Sequence, residues 1–76
     1  MGGRLPVLTG RKVIRALERA GFVLVRVTGS HHLYEHPDRP DRIVPVPLHL
    51  GDLKRPLVKS IVKQAGLSEE DFLEIL

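Results

Sequence analysis

The chain of 76 residues contains no cysteine, which excludes disulfides, zinc–thiolate sites and thiol nucleophiles and removes any sign of an oxidising compartment. Tryptophan is absent too. The aromatic supply is one tyrosine, Tyr34, and two phenylalanines, Phe22 and Phe72, each better used in a core than as a platform for stacking bases. No apolar run approaches the roughly 18 residues of a membrane span, and the opening MGGRLPVLTG has too short and interrupted an apolar stretch for a signal peptide. The expectation is a cytoplasmic protein without membrane association. Low-complexity segments, internal repeats and linkers are also missing, so residues 1–76 are expected to form a single domain. A core of that size leaves little room for a buried active site, which puts any chemistry on the surface.

Charge is present but only slightly unbalanced. Twelve Lys and Arg stand against nine Asp and Glu, for a net +3 with four neutral histidines, a weak argument for a polyanionic partner. The distribution is more telling. Glu69, Glu70, Asp71 and Glu74 gather at the C-terminus and leave residues 1–67 distinctly basic.

Thr9 can cap a helix in which Val13, Ile14, Leu17 and Ala20 recur at helical spacing, with Gly21 as its left-handed stop. Lys12, Arg15, Glu18 and Arg19 then face water. The β-branched run FVLVRVT ends at Gly29-Ser30, a dipeptide suited to a two-residue hairpin with glycine first, and HHLYEH follows as a second strand. After the turn-rich PDRPD, RIVPV is a third strand, and Pro45 puts it at a sheet edge or end. Beyond the loop PLHLGD, residues 54–65 make a second helix, with Leu57, Val58, Ile61, Val62 and Ala65 as its apolar stripe, Pro56 in its first turn and Gly66 as its stop. Ser68 with Asp71 opens a short last helix carrying Phe72, Leu73 and Leu76. The predicted fold class is α+β, an α-β-β-β-α order with helices on one face of a three-stranded antiparallel sheet. This is the architecture of double-stranded-RNA-binding domains, and it does not by itself establish RNA binding.

TGSHHLYEH concentrates three histidines. A two-residue loop pairs Thr28 with His31, Val27 with His32, Arg26 with Leu33 and Val25 with Tyr34, and directly opposed residues share a face. One face then carries Val23, Val25, Val27, His32, Tyr34 and His36, the better core. The other carries Leu24, Arg26, Thr28, His31, Leu33 and Glu35. A metal needs three or more ligands converging at about 2 Å, whereas His32 and His36 lie two pleats apart and only His49 could join them. Half-buried sheet residues are the better reading of that pair, and no metal or other cofactor is expected.

Two roles stay open for His31: an exposed turn-flanking residue, or an acid–base group. Histidine titrates near neutrality, so it can take a proton from a ribose 2′-hydroxyl or return one to a leaving 5′-oxygen. RNA supplies its own nucleophile, so one imidazole with cationic stabilisation of the phosphorane is sufficient chemistry for a slow ribonuclease. Gly29 and Ser30 form the supporting turn. Arg26, on the same face as His31, and Lys54, Arg55, Lys59 and Lys63, in or beside the second helix, are the candidate RNA contacts. A charged stripe of that kind is more often a solvated helix face.

Three separated stretches carry a resemblance: ERAGFVLVRVTGSHHLYEHP, VPVPLHLGDLKR and KSIVKQAGLSEEDF. Together they look like the HicA, or YcfA-like, family of toxin ribonucleases, over nearly all of residues 13–72. The resemblance implies a double-stranded-RNA-binding-like fold, metal-independent cleavage of mRNA as an mRNA interferase, and neutralisation by a HicB-type antitoxin that covers the active site. In that family the histidine directly after Gly-Ser is catalytic, which maps onto His31 and not His32, and Lys63 sits in the matched helix motif. The chain departs from many relatives in having Pro56-Leu57 where they carry Gly-Thr, and in the extra residues MGGRLPVL at its start. The alternatives from other classes are a non-catalytic RNA-binding module and a protein-interaction domain whose basic face serves an acidic partner.

Overall fold

The computed structural model describes residues 5–48 and 51–76. In chain order the elements are β1 (Leu8–Thr9), α1 (Gly10–Arg19), β2 (Val23–Thr28), β3 (His31–His36), β4 (Arg39–Pro47), β5 (Asp52–Leu53), α2 (Arg55–Gln64) and α3 (Glu69–Ile75). The fold is the expected α+β arrangement of the double-stranded-RNA-binding-domain type, built on an antiparallel sheet in the order β2-β3-β4.

The helix boundaries follow from local chemistry. Thr9 Oγ1 accepts from the Lys12 amide at 3.2 Å and opens α1, and Ser68 Oγ accepts from the Asp71 amide at 3.0 Å and opens α3. Glu69, Glu70 and Asp71 in the first turn of α3 meet the positive end of its dipole. Both longer helices close with a Schellman motif. Phe22 donates to the Leu17 carbonyl and Gly21 to that of Glu18; Leu67 donates to Val62 and Gly66 to Lys63. The second helix is shorter than expected by one residue at each end, because Lys54 and Ala65 are its caps.

Val13, Ala16 and Leu17 of α1, Val58, Ile61 and Val62 of α2, and Phe72 of α3 pack with Tyr34, Val44 and Val46 in one core, and no charged or polar residue is buried among the described residues. Leu57, expected in the α2 stripe, is 39% exposed. Both α1 and α2 make their main contact with the large sheet through β4. As a result β2 projects beyond the helical layer, and all six of its residues are exposed.

That placement overturns the expected valine core face. Thr28 pairs with His31, Val27 with His32 and Arg26 with Leu33, as the two-residue loop requires, but Tyr34 faces Leu24, not Val25, and Val23 faces Glu35. Val25 is the extra residue of a bulge. Regular alternation would aim three valines at a helical layer that does not reach β2, so burial gives it no advantage. Val23, Val25 and Val27 are each about half exposed.

The short β1–β5 ribbon, pairing Leu8 with Leu53 and Thr9 with Asp52, was not expected from the sequence. It ties the segment before α1 to the segment before α2, so both helices start at one end of the molecule. Leu5 and Leu8, from the N-terminal extension, are buried against the core.

Candidate active site

The β2–β3 hairpin turns on Gly29 and Ser30. Gly29 has φ 58° while no residue other than glycine has positive φ among the described residues, Ser30 included, the φ pattern of a type II′ turn, which matches the twist of the flanking strands. Nothing lies within 4 Å of where a Gly29 Cβ would be, so glycine is needed there for its backbone conformation alone. The turn is anchored from the other side. Pro47 has no N–H to give β3, and the Leu48 amide donates to the Ser30 carbonyl at 2.6 Å.

His31 follows this turn as the first residue of the central strand, with Thr28 and Pro47 as its lateral partners. It is exposed. Because Tyr34, Val44 and Val46 point into the helical layer, alternation sends His31, Leu33 and Glu35 to the opposite, uncovered face. Arg26, opposite Leu33, is on that face one diagonal step from His31. On the same face the rows Val23–Glu35–Ile43 and Arg26–Leu33–Pro45 continue the surface away from the turn.

The α2 cations divide by position. Lys54 caps α2 and Arg55 is its first residue, so both belong to the end where the β1–β5 ribbon gathers the helix starts. The Arg55 Nε donates to the Leu5 carbonyl at 2.9 Å, which commits part of its guanidinium to the N-terminal segment. Lys59 and Lys63 run down the helix and line a shallow hollow with Val62, Leu67 and Glu69. The C-terminal end of α2 lies by the start of β4, where Arg42 donates to the Gln64 carbonyl at 3.2 Å. Lys63 is therefore at the far end of the sheet from His31, and the structure does not bring the two together.

The other histidines have different environments. His36 is locked: Nδ1 accepts from the Asp38 amide at 3.1 Å, so Nε2 carries the proton and donates to the Ala20 carbonyl at 3.2 Å. Its ring stands edge-on to Phe22, 5.2 Å between centroids and 81° between planes. His32 lies between Val27 and Val46 on the helical face. Its Nδ1 is out of contact with water and has no hydrogen-bond partner among the described residues, a condition that costs about 1–3 kcal/mol. Among the described residues no three of His, Asp and Glu converge as a metal site would require, and His49 lies outside them.

The His32 ring lines an open cleft of about 280 Å³ between α1 and the sheet, together with Arg11, Ile14, Arg15, Glu18, Tyr34 and Leu48. Burial, and secondarily the Glu18 carboxylate, hold the Tyr34 phenol above the ordinary tyrosine value. Helical periodicity alone puts Arg15 on the water-facing side of α1 and gives Arg11 no role. The signal available was their spacing of one helical turn on the side of α1 away from Val13 and Leu17.

A sheet of double-stranded-RNA-binding-domain type that buries one face under helices and presents a histidine on the other defines a small basic α+β protein with an open sheet surface. The chain belongs to the HicA toxin family of bacterial toxin–antitoxin systems, whose family model matches residues 10–67, well over half of it. No curated protein matches the chain. Among the described residues no helix is long and apolar enough to cross a membrane.

Proposed function

We propose that this toxin is a metal-independent endoribonuclease that cleaves mRNA with His31 as its acid–base group and is held inactive by a HicB-type antitoxin. The observation that carries the reading is the position of His31: exposed, fixed by a two-residue turn that the Leu48 amide anchors, on the face the helices leave open. In its neutral form the imidazole takes the proton of a ribose 2′-hydroxyl as that oxygen attacks the adjacent phosphorus. The bond to the 5′-oxygen breaks, and the imidazolium returns the proton to it. The products are a 2′,3′-cyclic phosphate and a 5′-hydroxyl. Arg26, Lys54 and Arg55 at the same end of the molecule are the proposed cationic partners of the phosphorane and its neighbours.

Incubating the purified chain with RNA in chelator, beside His31→Ala, tests the reading. Wild-type cleavage that survives chelator and is lost in His31→Ala is the expected result. Cleavage by a folded His31→Ala protein would overturn the assignment. Binding of RNA without cleavage by either protein would favour the non-catalytic RNA-binding module instead.

A further inference from the structure

We propose that the cleft between α1 and β3, rimmed by Arg11 and Arg15 and floored by His32, is a second anion subsite that holds an RNA backbone phosphate flanking the scissile one. The inference rests on the ribonuclease reading for the words "flanking the scissile one" and on the cleft alone for the subsite.

Arg11 and Arg15 are one turn apart on the same side of α1 and both line the cleft. Among the described residues the one approach of a basic side chain's nitrogen to a carboxylate is His36 to Asp38, so neither arginine is ion-paired with any of them. Glu18 is the only acidic residue of the lining. Two guanidiniums whose donors no described residue claims, in a concave site, suit a phosphate, whose oxygens accept paired N–H bonds. The imidazole beneath them contains the one buried side-chain polar atom left without a partner among the described residues. That atom is shut off from solvent as the ring stands; a flip of the ring brings Nδ1–H to the cleft, where a phosphate oxygen accepts from it.

The cleft also lies where a strand crossing His31 would run. Its Leu48 wall donates its amide to Ser30, the residue before His31. Gly10, immediately before Arg11, is packed on the Pro47 carbonyl, and Pro47 is the cross-strand partner of His31. An RNA strand leaving His31 around the hairpin end therefore meets Leu48 and then the two arginines. His31 and His32 are successive residues on opposite faces of β3, so one strand edge serves two phosphates.

The test uses a short single-stranded oligoribonucleotide of mixed sequence. Its binding to His31→Ala protein is measured across a salt series, with and without Arg11→Gln/Arg15→Gln. Arg39→Gln/Arg42→Gln removes the same charge at the opposite end of the sheet. Loss of one phosphate contact is expected to lower the slope of log affinity against log salt by about 0.7, with a roughly tenfold drop in affinity for the α1 pair and a much smaller one for the control. Chemical shifts of the His32 ring should move on binding in the parent protein and not in the α1 pair. An unchanged slope and affinity, or an equal drop from the Arg39/Arg42 control, would overturn the subsite. The ribonuclease reading is judged separately, by cleavage with His31 intact. If neither protein cleaves but the α1 pair still loses its phosphate contact, the subsite stands and the catalytic reading falls.

Discussion

Gly10 is packed against the carbonyl of Pro47 so closely that a Cβ on residue 10 would sit 2.8 Å from that oxygen. The contact joins the start of α1 to the end of β4, and through Pro47 to His31. Both partners are backbone, so neither can swing aside.

Gly10→Ala is accordingly expected to destabilise the protein even though alanine is the better helix former. The propensity gain is at most about 1 kcal/mol, while forcing an extra carbon into a close-packed contact costs about 1–3 kcal/mol. Thermal unfolding should show a net loss. A gain in midpoint temperature would mean that α1 can lift off β4 freely.

Gly29→Ala should also destabilise, for a different reason. There is open space around the site, and only the positive φ is at issue, worth about 1–2 kcal/mol for an L-residue. Gly29→D-Ala, made by chemical synthesis, is expected to lose less than Gly29→Ala, because a D-residue takes up positive φ without strain. In a chain of this size each kcal/mol moves the midpoint by about 4–8 °C. Equal losses for the two variants would argue against the strained-turn explanation.

His31→Ala should leave unfolding within about 0.5 kcal/mol of wild type, as expected for an exposed residue with no packing role. His36→Ala should cost about 1–3 kcal/mol, since it strips a partner from both the Ala20 carbonyl and the Asp38 amide. Chemical denaturation separates the two. A large loss in His31→Ala would make that histidine structural.

Tyr34 is the only tyrosine, and there is no tryptophan, so its phenolate absorbance is an uncontaminated probe. Burial first and Glu18 second raise its pKa from 10.0. The folded state therefore holds this proton more tightly than the unfolded chain does. The associated stability is complete below pH about 10 and is lost as pH rises through the folded-state value. A spectrophotometric titration should find a midpoint above 10 in the native protein, falling to the ordinary value in denaturant. Glu18→Gln should lower the native midpoint without bringing it to 10, because burial is the larger cause. A native midpoint at or below 10 would contradict the packing described for Tyr34.

The elements that sequence specified well are those with local causes. Thr9 and Ser68 cap, Gly21 and Gly66 stop, and Gly29-Ser30 turns. Each acts through hydrogen bonds or dihedral preferences spanning a few residues, so the α-β-β-β-α order and the first three hairpin pairs were legible directly. The exposure of His31 was legible for the same reason, since a two-residue loop fixes the register nearest to it.

What only the tertiary structure decided depends on which layer covers which strand. The valines of β2 looked like a core face because alternation records what could be buried, not what is. The helices settle on β4, β2 is left bare, and a bulge at Val25 changes the alternation beyond it. The β1–β5 ribbon has two residues per strand and no pattern to betray it, yet it gathers the starts of both helices near the hairpin. By the same packing Lys63, only eight residues along α2 from Arg55, lies at the far end of the sheet, while Arg11 and Arg15 share a cleft with His32. Charge and residue type are written in the chain; which charges stand beside the histidines is set by contacts between residues far apart along it.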